Sequence, residues 1–181
     1  MREIEIKARV SDKTSLIEKL TAAKVILGEP LKQRDVVYAQ PGAIVGSHDA
    51  NWLRIRTEND SRHIFNLKRS VTNGLDSIEH EVTIDNDTEM RSIIKYLGYE
   101  LFSDLTKIRQ KTSAGNIEIC VDEVPELGVY IEAEMLCPED ADADAIRGEL
   151  WRLLESFGVS RVNEETNGYD ILMRRKLGLP A

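Results

Sequence analysis

From its second residue the chain alternates. Across Arg2–Val10, Glu3, Glu5, Lys7 and Arg9 fall on one face of an extended segment and Ile4, Ile6, Ala8 and Val10 on the other, the period-two pattern of a half-buried strand. Taken alone, such a row is explained as well by a solvated sheet face as by anything else. After Ser11-Asp12 the apolar spacing lengthens (Leu16, Ile17, Leu20), which predicts a helix over about 12–25 with Ser11 or Asp12 as its cap. Extended segments follow at about 30–39, 51–58 and 62–69, the last two joined by the hairpin turn Glu58-Asn59-Asp60-Ser61. The stretch 40–50 carries Pro41, Gly42, Gly46 and Ser47 and reads as a loop. A strand over 77–85 leads into Asp85-Asn86-Asp87-Thr88, a helix start, with Leu97 as the end and Gly98 as the stop. Three strands come next, at 100–112, 116–124 and 128–136, turning at Ala114-Gly115 and at Pro125-Glu126-Leu127. Pro138-Glu139-Asp140 opens a helix to about Phe157, stopped by Gly158, and a last helix covers about 165–177. This order, without internal repeats, predicts an α+β fold built on a mainly antiparallel sheet.

The two-faced row recurs in strand after strand. Arg54 and Arg56 oppose Leu53 and Ile55, Lys68 shares a face with Asn66, and Glu79 goes with Glu81. Lys107, Arg109 and Lys111 form another row, as do Glu118, Cys120 and Asp122, and Glu132 with Glu134. Two architectures fit. In an open sheet these faces meet water; in a closed barrel they line the inside while helices cover the apolar outside. Residue type and sign narrow the choice. The faces are crowded with Glu and Arg rather than Thr, Ser and Gln, and acidic strands are segregated from basic ones. Like charges enclosed together are costly without a counter-ligand. An anion on a basic wall and a divalent cation on an acidic wall would satisfy both.

Composition sets limits on partners. The 181 residues carry a net charge of -8, which argues against a general nucleic-acid or anionic-membrane binder. Length and balance predict one domain over 1–181. Cys120 and Cys137 form neither a disulfide framework nor a metal-ligand spacing. With no apolar leader and no run near the ~18 residues of a membrane span, the expected setting is soluble and cytoplasmic. His48, His63 and His80 show no ligand-like spacing, and Trp52 and Trp151 are expected in the core.

At this point the sequence resembles the CYTH, or triphosphate tunnel metalloenzyme, family. Glu3-Ile4-Glu5-Ile6-Lys7 matches its ExExK signature, followed in order by Leu53-Arg54-Ile55-Arg56, Lys68, Glu79-His80-Glu81 and Lys107-Ile108-Arg109. Asp122-Glu123-Val124 and Leu127 through Glu134 resemble its D-E-V…L-G…E-x-E block. The resemblance is nearest to the class IV adenylyl cyclase-like branch. It implies an eight-stranded antiparallel barrel, helices outside, enclosing a tunnel for a triphosphate and a divalent metal. Such folds are often dimers, so a homodimer is a further implication.

The same resemblance assigns roles. Glu3, Glu5, Asp122, Glu132 and Glu134 would hold Mg²⁺ or Mn²⁺, while Lys7, Arg9, Arg54, Arg56, Lys68, Lys107 and Arg109 would bind the triphosphate, with Glu5, Lys7 and Glu134 at the centre of catalysis. Three activities fit: an adenylate cyclase making cyclic AMP and pyrophosphate from ATP; a triphosphatase acting on tripolyphosphate, thiamine triphosphate or a nucleoside triphosphate; and, from another class, a non-catalytic polyphosphate- or nucleotide-binding module. One departure bears on the choice. The family's second strand usually carries D-x-Y, but Asp35-Val36-Val37-Tyr38 puts Val37 at the tyrosine position and turns Tyr38 outward unless a bulge shifts the register. Tyr169, where the family often shows Ser-Tyr, is expected to pack the last helix against the barrel.

Overall fold

The computed structural model describes residues 2–43, 50–73 and 75–180; Gly46, Ser47 and His48 lie outside the described residues. Eight strands, β1 (Arg2–Val10), β2 (Leu31–Ala39), β3 (Asn51–Glu58), β4 (Arg62–Asn73), β5 (Asp76–Ile84), β6 (Glu100–Ala114), β7 (Ile117–Val124) and β8 (Gly128–Cys137), close into a barrel in the order β1-β5-β4-β3-β2-β6-β7-β8. Every neighbouring pair is antiparallel. The helices are α1 (Lys13–Ala22), α2 (Asp87–Tyr96), α3 (Ala143–Ser156) and α4 (Tyr169–Lys176). The closed alternative, not the open sheet, is the one realised.

The apolar rows decide which face goes where. Ile4, Ile6 and Ala8 of β1, Ile119 and Val121 of β7, and Ile131 and Ala133 of β8 pack against Leu16 and Leu20 of α1 and Leu150, Trp151 and Leu154 of α3. Each fully buried aliphatic contributes roughly 1.5–3 kcal/mol. A one-residue slip would send the whole row to the wrong side, so covering the outer face commits the charged row to the interior. On the other side Val36, Tyr38, Leu53 and Ile55 form a second cluster with Ile94 of α2.

Strand direction defines two rims: β1, β2, β4 and β7 run toward one, and their neighbours run away from it. β1 pairs with β8 from Arg2↔Cys137 to Val10↔Val129, but with β5 only from Arg2↔Ile78 to Ile4↔Asp76. The segment after α3 takes up part of the edge this leaves, through an Ala8↔Glu164 bridge and a Glu165 N–H donating to the Lys7 carbonyl at 2.8 Å. It then enters α4 at the rim of β1's C-terminal end.

Several element bounds differ from the sequence expectation. Helix α1 is capped by Asp12, whose Oδ1 accepts from the Ser15 N–H, and it ends at Ala22, before Lys24 at φ 62°. Helix α3 starts at Ala143 rather than at Pro138 because Asp142 Oδ1 accepts from Asp144 and Ala145. The expected helix over 165–177 shortens to Tyr169–Lys176, since the preceding backbone bonds to β1; a 3₁₀ turn, Arg161–Asn163, precedes it. Among the described residues no helix is long and apolar enough to cross a membrane.

Candidate functional site: a charged cavity inside the barrel

The inward rows enclose a cavity of about 720 Å³. Its charge follows from the strand order. β7, β8, β1 and β5 are contiguous and contribute Glu118, Glu132, Glu134, Glu3, Glu5 and Glu79; β4, β3, β2 and β6 form the opposite arc with Lys68, Arg54, Arg56, Lys107 and Arg109. The barrel therefore has an acidic and a basic arc. β1, with Glu3, Glu5 and Lys7, sits in the middle of the acidic arc between β8 and β5, and Lys7 is its embedded base.

Bases of the basic arc are held by acids. Arg56 donates to both Asp35 oxygens at 2.7 and 2.8 Å; although burial alone would raise it, this pairing holds Asp35 far below the usual carboxylate range. At the β6/β7 seam, Asp122 accepts from Arg109 Nε at 2.7 Å and from Lys107 Nζ at 3.0 Å, and Arg109 also donates to Glu132. Burial raises and Arg109, Lys7 and Lys107 lower Glu132, and the bases win. At the β5/β4 seam Lys68 Nζ lies 2.7 Å from Glu79, which Asn66 also contacts at 2.8 Å. Arg54 is the loosest base, 4.0 Å from Asp35 and 3.9 Å from Glu79, with a buried Nε that has no hydrogen-bond partner.

Three acids stand apart. A carboxylate oxygen from each of Glu3, Glu5 and Glu134 lies within 4.8 Å of the others. Glu134 has no hydrogen bond or ion pair among the described residues, and Glu5 Oε1 is buried without a hydrogen-bond partner, with Lys7 Nζ 3.2 Å away as an ion pair. Burial and neighbouring carboxylates push all three toward the protonated form: Glu3 up to about 7, and Glu5 and Glu134 upward as well. A cation among these oxygens would relieve that strain. Three convergent hard oxygens, one of them unpartnered, fit Mg²⁺ or Mn²⁺.

The expected site residues thus separate. Glu3, Glu5 and Glu134 come together as a candidate cation cluster. Asp122 and Glu132, expected beside them, are instead engaged by Arg109, Lys107 and Lys7, and Asp122 is fully buried outside the cavity lining. Lys7, Arg54, Arg56, Lys68, Lys107 and Arg109 all line the cavity. Arg9 does not: β1 reaches the rim there, leaving Arg9 exposed with its Nη2 donating to the Leu127 carbonyl at 3.1 Å. A bulge does occur at Val37/Tyr38 in the β2–β6 pairing, yet Val37 still lines the cavity and Tyr38 stays in the outer cluster, accepting from Arg91 at 2.9 Å.

Two residues line the cavity where the sequence reading expected only packing. Tyr169 does pack α4 against the barrel, edge-on to Tyr130 at 5.2 Å, and its ring also lies 4.4 Å from Lys7 Nζ and 4.9 Å from Lys107 Nζ. The β1-bound segment puts it there, a tertiary contact that no spacing encodes. Trp52, expected in the core, lines the cavity; its place two residues before Arg54 on the inward face was the available signal. Cys120 and Cys137 are free and buried, and His80 is exposed.

Comparison with known proteins agrees with this architecture. The CYTH domain matches residues 1–169. The chain belongs to the CYTH family. A curated relative from Methanocaldococcus jannaschii, named putative adenylate cyclase, is 27% identical over 165 residues, 90% of this chain and 93% of its own length. The PH1012 protein of Pyrococcus horikoshii superposes with a TM-score of 0.81 at 19% identity, covering 94% of this chain and 98% of that one. A Hippeastrum protein, named putative adenylyl cyclase and described as having a dominant triphosphatase activity, gives a TM-score of 0.61 at 15% identity over 100% of this chain and 98% of its own.

Proposed function

We propose that this protein is a divalent-cation-dependent enzyme that cyclises ATP to cyclic AMP and pyrophosphate inside the barrel. One observation carries the reading: a partly unpartnered acidic cluster (Glu3, Glu5, Glu134) shares a cavity with Arg54, Lys68 and Lys7. A module that only bound polyphosphate would need the bases, but not three carboxylates held against their own repulsion. The family and the name of the Methanocaldococcus relative support the same class of chemistry.

In this reading Glu3, Glu5 and Glu134 hold Mg²⁺ or Mn²⁺, which when bound offsets phosphate charge. Arg54 and Lys68 clamp the phosphates, and Lys7, beside Glu5 and Glu132 at 3.2 Å, neutralises the leaving pyrophosphate. The ribose 3'-oxygen bonds to the α-phosphorus as the bond from that phosphorus to the bridging oxygen breaks. The hydroxyl proton leaves to water as the new bond forms, while Glu5 stays engaged with the cation it would hold and with Lys7. Positioning and charge neutralisation supply most of what phosphoryl transfer needs.

Hydrolysis of the terminal phosphate is the second reading, favoured by the full-length likeness to the Hippeastrum protein with its dominant triphosphatase activity. Against it stands Val37 on the inward face where a tyrosine would assist water attack. Incubation with Mn²⁺ and ATP, tripolyphosphate or thiamine triphosphate, followed by product analysis, separates the readings. Cyclic AMP with pyrophosphate is expected; orthophosphate makes the protein a triphosphatase, and binding without turnover makes it a binding module.

A further inference from the structure

Tyr169 opens α4 and meets two different environments. One edge of its ring packs with Tyr130, Leu105, Val124 and Leu127 beneath the helix. The ring also carries two ammonium groups, Lys7 Nζ at 4.4 Å and Lys107 Nζ at 4.9 Å from its centroid. Docking the helix does not require that second arrangement. Leu172 and Met173 pack against the same cluster with aliphatic side chains, and neither lines the cavity.

The two lysines come from different parts of the wall. Lys7 stands on β1 in the acidic arc and Lys107 on β6 in the basic arc, with β8 and β7 between those strands. Lys7 has Glu5 and Glu132 at 3.2 Å and donates to the Asn167 carbonyl at 3.4 Å. Lys107 is more poorly served. Its ion pair among the described residues is with Asp122 at 3.0 Å, a carboxylate that Arg109 also engages. Burial and the charges of Arg109 and Arg56 press its ammonium toward the neutral form. An aromatic face attracts a desolvated ammonium without bringing another formal charge into the wall.

The segment before α4 holds the ring in place. Glu164 bridges to Ala8, and the Glu165 N–H donates to the Lys7 carbonyl at 2.8 Å. Glu165 Oε1 then accepts from the backbone and side-chain nitrogens of Asn167 at 2.9 and 2.7 Å. One turn therefore points the Asn167 carbonyl at Lys7 and delivers Tyr169 two residues later.

We infer that Tyr169 is a positioning residue for the cavity's bases: its ring holds the ammonium groups of Lys7 and Lys107 toward one region of the cavity, so that anion affinity inside the barrel depends on α4 being docked. This rests on the reading that a triphosphate binds between the two arcs. Tyr169 acts through the two lysines, and the ring rather than the hydroxyl carries the role.

Calorimetric titration of the Mn²⁺-loaded protein with tripolyphosphate tests it in the native chain, Tyr169→Phe, Tyr169→Leu and Leu172→Ala. Tyr169→Leu is expected to weaken binding by about tenfold, the order of losing buried ammonium–ring contacts, and Tyr169→Phe to restore it. Leu172→Ala loosens the helix without touching either lysine, so it should lower the melting temperature and keep the affinity. In proton spectra of the ligand-free native chain, the methylene protons beside the Lys7 and Lys107 ammonium groups should be shifted upfield by the ring current, as in Tyr169→Phe and not in Tyr169→Leu. Unchanged affinity in Tyr169→Leu overturns the inference, as does an equal loss in Tyr169→Phe or in Leu172→Ala. If Tyr169→Leu does not fold, lysine protons without the upfield shift in the native chain overturn it equally. A native chain that binds no tripolyphosphate removes the triphosphate reading and the inference with it, a result distinct from each of these.

Discussion

The two arcs of the barrel wall treat charge in opposite ways. On the basic arc and at its seams, buried bases have close acids: Arg56 with Asp35, Arg109 and Lys107 with Asp122, Lys68 with Glu79. On the acidic arc, Glu3, Glu5 and Glu134 face one another with Lys7 and Lys68 only at the cluster's margin. The difference shows in proton affinity. Asp35, Asp122 and Glu79 are held below their ordinary range, whereas Glu3, Glu5 and Glu134 are pushed above it. Paired acids of this kind are scaffolding that aims the bases; carboxylates that converge with their proton affinity raised form an arrangement that a cation would relieve.

The largest expected effect comes from breaking a scaffold pair. Asp122→Ala takes from buried Lys107 its close carboxylate and leaves Arg109 with Glu132 alone, and should cost about 3–5 kcal/mol in urea unfolding, as for removal of one partner of a buried pair. A loss under about 1 kcal/mol would erase the contrast between the arcs. Glu134→Gln should do the reverse. It should leave the cation-free protein as stable or more stable, abolish the rise in melting temperature on adding Mn²⁺, and lower turnover at least about 100-fold. Full activity in this variant, or in Glu5→Gln, removes the cation cluster from the mechanism.

Acidity sharpens the comparison further. Glu3 has its proton affinity raised from 4.5 to about 7, so the folded chain holds this proton more tightly than the unfolded one. Its stabilising contribution is complete below about pH 4.5 and is lost as pH rises through about 7. A divalent cation competes with that proton, so the Mn²⁺-induced shift in melting temperature should grow from pH 6 to pH 8. Equal shifts across that range would place the cation elsewhere. The smallest effect belongs to Arg9: exposed at the rim, it should change stability by no more than about 0.5 kcal/mol when replaced by Ala. A large loss of ATP affinity in Arg9→Ala would restore it to the phosphate-binding set.

Much of this molecule was legible before any coordinates. The alternation in each strand, the turn residues and the capping residues determined most of the elements, and the segregation of acidic from basic strands determined two charged sides for whichever of two architectures, open sheet or closed barrel, the chain adopts. Period-two patterning is local, so it survives in one dimension. What the tertiary structure decided was adjacency. Only the strand order puts β1 within the acidic arc, and only the register sets Arg109 against Asp122 and Glu132, which engages those two acids with bases while Glu3, Glu5 and Glu134 converge on one another. Arg9 illustrates the same limit: its face was read from the alternation, but the rim that carries it out of the cavity depends on where β1 ends relative to its neighbours. Tyr169 reaches the cavity because the backbone before α4 bonds to β1, some 160 residues earlier in the chain. Contacts closed over such loops leave no period in the sequence, and they determine which charges are neutralised and which are left to bind.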